Sequence, residues 1–250
     1  MQFGVSNIGW DIDKSELMFQ TLSKMDISNI EVAPTKVCSW DDTNLFNKLK
    51  EYKYLAQSNG INICGLQSIY YTKPFNVFRD VEFIEHFKLV IEVSKFLGAS
   101  YIVYGSPKTR FISSQDDPNR FIDIFSELSN ISGDVNICIE PNPTLYGCNF
   151  ITNVKEGFDI VSKINKSNVK LHIDTSEIII NNERIEDIDT TFSRTCHISN
   201  PGLSKISSDY SDIYNNVFDL DLDFITLESM DCNSIESLIE QLSYIEKIKK

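Results

Sequence analysis

The sequence predicts an α/β protein that folds as a single (β/α)₈ TIM barrel domain over residues 1–250, and three observations indicate this fold. The chain has 250 residues, which is the usual length of one such barrel. Eight short β-rich runs alternate with stretches of helical periodicity, at a repeat of roughly 30 residues. No linker or low-complexity stretch divides the pattern. An open doubly wound sheet is the alternative, but GVSNIGW, at the first run, lacks the G-x-G-x-x-G turn that such sheets usually carry.

Each predicted strand is a short run of apolar and β-branched residues. In chain order the runs are 3–7, 29–33, 61–67, 100–105, 135–140, 169–174, 195–199 and 224–228. The last four runs alternate between faces, as Asn136, Cys138 and Glu140 do against Ile137 and Ile139. This alternation predicts that the apolar face of each strand packs against helices, while the small or polar face lines the barrel interior.

Helices are predicted between these strands. The clearest covers residues 80–97, because Phe83, Phe87 and Val90 fall at helical spacing and Gly98 ends the stripe. Capping-box pairs predict three other helix starts: Asp13 with Glu16, Asn153 with Glu156, and Asn233 with Glu236. The sixth helix is predicted to be short, around residues 183–189. The long aromatic connection after the third strand is expected to lie over the site as a lid.

Charge and composition argue against several functional classes. The net charge is −13 with His neutral, which is unfavourable for nucleic acid, because duplex binding depends on Lys and Arg neutralising phosphates. No run approaches the roughly 18 apolar residues of a transmembrane helix, so no membrane partner is expected. The N-terminus lacks the basic and apolar regions of a signal peptide. We therefore expect a cytoplasmic protein whose six cysteines are free thiols.

The strongest functional signal is a set of metal-ligand side chains at the ends of the last four predicted strands. These residues are Glu140, Asp174, His197 and Glu228, each about one strand-plus-helix unit after the one before. A single acid at a strand end is more often a helix cap or a surface residue. Four in order are expected to converge, because the carboxyl ends of parallel strands meet at the face of a barrel that carries the active site.

This ligand set indicates a particular chemistry. Three carboxylates and one imidazole favour Mn²⁺ or Mg²⁺, and Co²⁺, Fe²⁺ and Zn²⁺ are also compatible. Such an ion would polarise the carbonyl of a hydroxy-carbonyl substrate and stabilise an enediolate. Glu140 and Glu228, held across the site, would act as catalytic base and acid on opposite faces of the carbon. The pattern therefore predicts epimerisation or aldose–ketose isomerisation of a sugar or sugar phosphate.

Polar side chains at other strand ends are candidates for binding the carbohydrate substrate. Gln67 ends the third strand, as Glu31 ends the second. The fourth strand leads into GSPKTR, which is expected to place Lys108 and Arg110 at the rim. A cation there suits a phosphate or carboxylate group, although both residues are equally compatible with solvated loop charges.

Aromatic residues are candidates for the walls of a sugar site. Trp10 and Tyr146 are expected to stack on or hydrogen-bond to the substrate, as are Tyr70 and Tyr71. His172 lies one interior layer below Asp174, where it is either a supporting donor or a core histidine.

The chain resembles the xylose isomerase-like TIM barrels, within the sugar phosphate isomerase/epimerase group that includes the ketose 3-epimerases. The segments that carry the resemblance are GVSNIGWD, IEVAPTK, GLQS, VYGSPKTR, IEPNPTLYGCNFIT, LHIDTSE, CHISNPGL and ITLES. The resemblance implies a divalent-metal barrel in which Glu140, Asp174, His197 and Glu228 are the ligands and the two glutamates are the acid/base pair. Endonuclease IV-type enzymes in the same superfamily need a histidine-rich zinc cluster, which a chain with three histidines cannot build.

Two departures from the ketose 3-epimerase pattern bear on the substrate. Glu177 stands where those enzymes tend to carry a substrate-binding His, and SNPGLSK lacks the Arg that they tend to carry after the seventh strand. Free-ketose specificity is therefore not implied, and Glu177 becomes a candidate substrate contact.

Two alternative functions remain open from the sequence. The same enediolate could expel a β-hydroxyl, which would make the protein a dehydratase of a sugar derivative. A catalytically inactive barrel used for binding is the other, and the intact ligand set argues against it. A homodimer is the expected assembly on base rates alone.

Overall fold

The strands close into one parallel barrel, as the sequence predicts. The computed structural model describes residues 1–249. Each strand pairs in parallel with its neighbours in chain order, and β1 pairs with β8 to complete the cylinder. The strands are β1 Gln2–Ser6, β2 Asn29–Val32, β3 Asn62–Leu66, β4 Tyr101–Tyr104, β5 Asn136–Ile139, β6 Val169–Asp174, β7 Ser193–Ile198 and β8 Phe224–Leu227.

An α-helix follows each strand. The helices are α1 Ser15–Lys24, α2 Leu45–Ser58, α3 Val81–Leu97, α4 Asp117–Ser132, α5 Val154–Ile164, α6 Thr175–Asn181, α7 Ser211–Asn216 and α8 Ile235–Ile248. None of the helices within residues 1–249 is long and apolar enough to cross a membrane. All six cysteines are free, as predicted.

Side-chain alternation along the strands separates two packing layers. Apolar residues of the outer face, such as Ile137 and Leu171, are fully buried in the large core between barrel and helices. A smaller cluster fills the barrel interior, formed by Cys64, Tyr101, Val103 and Cys138 with Phe224 packed against it. The period of two in each strand therefore separates a structural face from the face that ends in the site.

Local signals located some helices well and others poorly. Asp80 precedes α3, and Gly98 ends it in the left-handed conformation, with φ of 82°. The Asn153 side chain caps α5 by accepting a hydrogen bond from the Glu156 backbone N–H at 2.9 Å. The other two predicted helix starts lie one residue from the observed ones, but their capping residues are wrong, because α1 follows Lys14 and α8 is capped by Ser234.

The sixth helix was predicted too late in the chain. It starts at Thr175, directly after β6, because the Asp174 side chain accepts a hydrogen bond from the Ser176 backbone N–H and caps the first turn. The predicted position holds only a 3-10 turn, Ile185–Asp187. This earlier start changes the direction in which the residues after Asp174 point.

Candidate active site

The four predicted ligands lie together at the carboxyl ends of β5 to β8. Glu140 directly follows β5, Glu228 directly follows β8, and Asp174 and His197 lie within β6 and β7. Asp174 and His197 are register partners on adjacent strands. All four side chains are buried, with at most 8 % of any residue exposed. The strand ends therefore bring the ionisable groups to one end of the barrel.

His197 is held between carboxylates on both sides of its ring. Its Nε2 lies 2.7 Å from Glu31 Oε1, while its Nδ1 lies 3.2 Å from Glu228 Oε2 and 3.8 Å from Glu140 Oε1. Nδ1 makes no hydrogen bond of good geometry among the described residues, although both of these carboxylates lie near it. Burial lowers the pKa of His197, but the charges of Glu31 and Glu228 outweigh it and the pKa lies well above its usual range. A positive charge near Nδ1 would therefore be stabilised by the carboxylates of Glu140 and Glu228.

The charge on His197 only partly compensates the neighbouring acids. Burial raises the pKa of Asp174 to about 7, and the charges of Glu140 and Glu228 add to the effect. Burial likewise raises the pKa of Glu140, although His197 opposes it. Asp174 accepts hydrogen bonds from the Ser199 hydroxyl and the Ser176 backbone N–H. Buried carboxylates are stable when they bind protons or a cation. A cation bound among these acids would therefore stabilise them.

His172 is a candidate ligand that the sequence left as a support or core residue. Its ring packs edge-on against that of His197, with centroids 4.1 Å apart. Its Nδ1 lies 2.7 Å from Thr195 Oγ1, and its Nε2 has no partner within residues 1–249. Glu140, His172 and His197 each offer a ligand atom, and these atoms lie within 4.8 Å of one another. Burial lowers the pKa of His172 well below its usual value, which leaves a lone pair free.

The loop after β4 shapes the position of Glu140. A Cβ atom on Gly105 would overlap Glu140 Oε2 and lie 2.6 Å from Glu140 Cδ, so only glycine leaves room for this carboxylate. Behind it, Arg110 Nη1 donates to the Glu140 backbone oxygen at 2.7 Å, and Nη2 donates to Asn142 Oδ1 at 2.9 Å. These contacts fix the backbone from which the Glu140 side chain projects.

A cavity of about 510 Å³ opens above the acidic cluster. Its lining includes three of the predicted ligands, Glu140, Asp174 and Glu228. It also includes the predicted substrate residues Gln67, Lys108 and Tyr146, and residues of the aromatic connection after β3: Ser68, Tyr70, Tyr71 and Pro74. Lys108 is the one cationic residue lining the cavity within the part of the chain that the structure describes. The described lining therefore combines acidic groups with one cation.

Three predicted substrate residues do not line this cavity, and their interpretation is corrected. Trp10 is 2 % exposed and packs edge-on against Phe19 in the core, because the turn after β1 directs its ring toward α1. Arg110 is fully buried beneath the Glu140 backbone and does not lie at the rim. Glu177 is 1 % exposed on the buried face of α6, where burial and then Glu183 raise its pKa well above its usual value.

Glu31 is a site residue whose role the sequence did not reveal. It was expected only as a strand-end group near the mouth. The structure places it fully buried in the barrel interior, where it contacts His197 and accepts a hydrogen bond from the Tyr101 hydroxyl at 2.6 Å. The alternation of side chains along β2 is consistent with an interior position for Glu31. Its partner, however, is 166 positions away in the chain, which no local pattern indicates.

The fold and the site together indicate a class of barrel protein. Comparison with known families shows to which family the chain belongs. The chain belongs to the Xylose isomerase-like TIM barrel family, whose model matches residues 19–203. No curated protein sequence matches the chain.

Several solved structures share the fold. E. coli 3-keto-D-glucoside 4-epimerase YcjR superposes with a TM-score of 0.76 at 13 % identity, over 99 % of each chain. D-psicose 3-epimerase from Clostridium cellulolyticum H10 superposes with a TM-score of 0.69 at 15 % identity, over 99 % of this chain and 95 % of that one. An L-ribulose 3-epimerase superposes with a TM-score of 0.70 at 13 % identity, over 97 % of this chain and 86 % of that one. At these identities the likeness shows the fold alone. The protein is therefore a xylose isomerase-like barrel with a buried Glu140, His172 and His197 group that could bind a metal.

Proposed function

We propose that the protein is a divalent-metal-dependent isomerase or epimerase of a sugar or sugar phosphate. The observation that carries the proposal is the placement of Glu140 and Glu228, which line a large cavity and also approach the buried His197 Nδ1, at 3.8 Å and 3.2 Å. Membership of the family supports it, as do fold neighbours that are named as sugar epimerases.

Glu140, Asp174, His197 and Glu228 would hold the ion. His172 lies close enough to Glu140 and His197 to offer a further ligand atom. The oxygen-rich set favours Mn²⁺ or Mg²⁺ over Zn²⁺, and Co²⁺ and Fe²⁺ also fit imidazole and carboxylate donors. When bound, the ion would supply positive charge against the negative charge that develops on the substrate oxygens during proton abstraction.

Glu140 and Glu228 would move the proton. Both carboxylates approach His197 Nδ1, and both line the cavity. A substrate carbon held between them would lose a proton to one carboxylate and receive a proton from the other on its opposite face, which inverts that centre. An isomerisation would instead use one of the two to carry a proton between neighbouring carbons.

Gln67, Lys108 and Tyr146 would bind the remainder of the substrate. Gln67 is held by a hydrogen bond from its Nε2 to Ser6 Oγ. The Tyr146 hydroxyl accepts a 3.4 Å hydrogen bond from the Gly202 backbone N–H, which ties the loop after β5 to the loop after β7. These contacts orient polar groups toward the cavity without occupying all of their hydrogen-bonding capacity.

The test is C–H exchange in deuterated water. Purified protein with added Mn²⁺ is incubated with a panel of sugars and sugar phosphates, and deuterium incorporation is read by mass spectrometry and NMR. Exchange on at least one substrate, abolished by chelation and restored by Mn²⁺, is the expected result. Loss of water from the product would instead indicate a dehydratase. Metal-replete protein that exchanges no substrate would contradict the proposal.

The Lys108→Met substitution tests the nature of the substrate. If the ammonium group binds a phosphate or carboxylate, the KM for an acidic sugar should rise by about 10- to 100-fold, in line with a charged hydrogen bond. The KM for a neutral sugar should change little, and kcat should be similar for both. Lys155→Met is the matched control, because Lys155 pairs with Asp159 on α5, away from this cavity. Equal changes for acidic and neutral sugars would show that Lys108 is a surface charge.

A further inference from the structure

The interior of the barrel contains a hydrogen-bonded chain that ends at His197. Glu31, on β2, reaches His197, on β7, although β1 and β8 lie between these two strands in the barrel. The Glu31 side chain is fully buried, and each of its carboxylate oxygens has one partner: Oε1 contacts His197 Nε2 at 2.7 Å, and Oε2 accepts from the Tyr101 hydroxyl at 2.6 Å. The carboxylate is therefore held from both sides.

Tyr101 is itself positioned for this contact. A Cβ atom on Gly65 would lie 2.8 Å from Tyr101 Cδ2, so the tyrosine ring crosses β3 where no side chain stands in its way. Its hydroxyl also lies 3.4 Å from Thr226 Oγ1 and 3.5 Å from Cys64 Sγ. Burial raises the pKa of Tyr101 well above its usual value. The hydroxyl therefore stays protonated and donates a hydrogen bond to Glu31.

The contact with Glu31 has a consequence for the other nitrogen of His197. Because Glu31 Oε2 accepts from the Tyr101 hydroxyl, Oε1 of the same group is placed to accept from a proton on His197 Nε2. In a neutral imidazole the lone pair then lies on Nδ1, which is the atom that faces Glu140 and Glu228. With no carboxylate at position 31, either nitrogen could carry the proton, and the ring would lose the contact that fixes its orientation.

We propose that Glu31 is a positioning residue, which fixes the tautomer and orientation of His197 so that Nδ1 is presented to a metal ion. Tyr101 is the second member of this support, because it fixes Glu31. The inference rests on the proposed function in requiring an ion at the site, but it does not depend on which sugar is the substrate or on whether turnover occurs. Carboxylates that orient histidine ligands typically change metal affinity by about 10- to 100-fold when they are lost.

The experiment measures metal binding rather than activity. Metal-stripped wild type, Glu31→Gln and Tyr101→Phe are titrated with Mn²⁺ by calorimetry. Glu31→Gln should weaken binding by about 10- to 100-fold, because the neutral amide neither raises the basicity of the ligand nor enforces one tautomer. Tyr101→Phe should weaken binding less, since Glu31 still contacts His197. Ser193→Ala is the matched control, because Ser193 is a fully buried polar residue on the same strand as His197 and its hydroxyl has no partner within residues 1–249.

A second readout reports the hydrogen bond from His197 to Glu31 directly. The chain has three histidines, so long-range ¹H–¹⁵N spectra of the protein saturated with diamagnetic Zn²⁺ can resolve His197. Zn²⁺ on Nδ1 leaves the proton on Nε2 in every variant, so wild type should show a downfield, slowly exchanging Nε2 proton, and Glu31→Gln should shift that signal upfield and speed its exchange with water. Unchanged affinity in a folded Glu31→Gln variant would overturn the inference, as would a wild type that binds no ion. A protein that binds Mn²⁺ but turns over no sugar would contradict the proposed function and leave the inference intact.

Discussion

Glu140→Gln and Glu228→Gln are each expected to lose turnover by about 10²- to 10⁴-fold or more, as is typical when a general acid or base is removed. Glutamine keeps the size of the side chain and one ligand oxygen but has no basic carboxylate. Both side chains line the cavity and approach His197 Nδ1, so both should matter as ligands and as proton carriers. Each variant should still bind Mn²⁺ with reduced affinity, which calorimetry measures, while steady-state kinetics measures the loss of kcat.

Deuterium exchange distinguishes epimerisation from isomerisation. If the two glutamates serve opposite faces of one carbon, each variant should still exchange the proton that its partner handles, so exchange would persist from one epimer only. If a single glutamate carries the proton between carbons, only one of the variants should lose exchange. Wild-type turnover in both variants would contradict a mechanism based on these two residues. Aspartate at either position keeps the carboxylate but withdraws it by one methylene group. Each Glu→Asp variant is therefore the control that separates loss of the charge from a change in its position.

The barrel and the ends of its strands could be predicted because both follow from local sequence. Alternation along a strand is set by backbone geometry, so the small interior face that ends in Glu140 could be read without knowing the fold. The direction of parallel strands then places Asp174, His197 and Glu228 at the same end of the barrel. These steps need no information about distant contacts.

Residues in loops and in the first turns of helices could not be placed in this way. Arg110 follows the 3-10 turn Pro107–Thr109, and it turns inward because its guanidinium meets the carbonyl oxygens of Glu140 and Ile151. Glu177 lies on the buried face of α6, because this helix starts one residue after the Asp174 cap. Both outcomes depend on how side chains pack across elements, which periodicity does not encode.

The support for the site was also beyond the reach of sequence patterns. Glu31 and His197 each lie on an interior strand face, yet nothing local shows that they contact each other across two intervening strands. His172 was recognised as an interior residue, but its proximity to Glu140 depends on the stagger of the strands at the end of the barrel. Long-range pairs of this kind require the register of the closed barrel.

Gly105→Ala is expected to disable the site without removing any of its functional groups. The added methyl group would overlap Glu140 Oε2 and lie 2.6 Å from Cδ, so the Glu140 side chain must rotate away. Gly105 does not have a positive φ, so alanine fits the backbone there, and the displaced atoms belong to the end of a flexible side chain. The melting temperature should therefore change little.

The effect on function should be much larger than the effect on stability. Moving a catalytic group by about 1 Å can cost on the order of 10²-fold in rate, and Glu140 would move further than that. We expect kcat/KM to fall by at least about 10²-fold and Mn²⁺ affinity to fall with it. The measurement is a double-mutant cycle between Gly105→Ala and Glu140→Gln, since residues in contact give non-additive effects. Because the substitution acts through the Glu140 carboxylate, it should cost far less in the Glu140→Gln background than in wild type. An equal loss in both backgrounds would mean that Gly105 acts through the loop itself, and wild-type kinetics in Gly105→Ala would mean that the position of Glu140 in the structure is not the one in which it works.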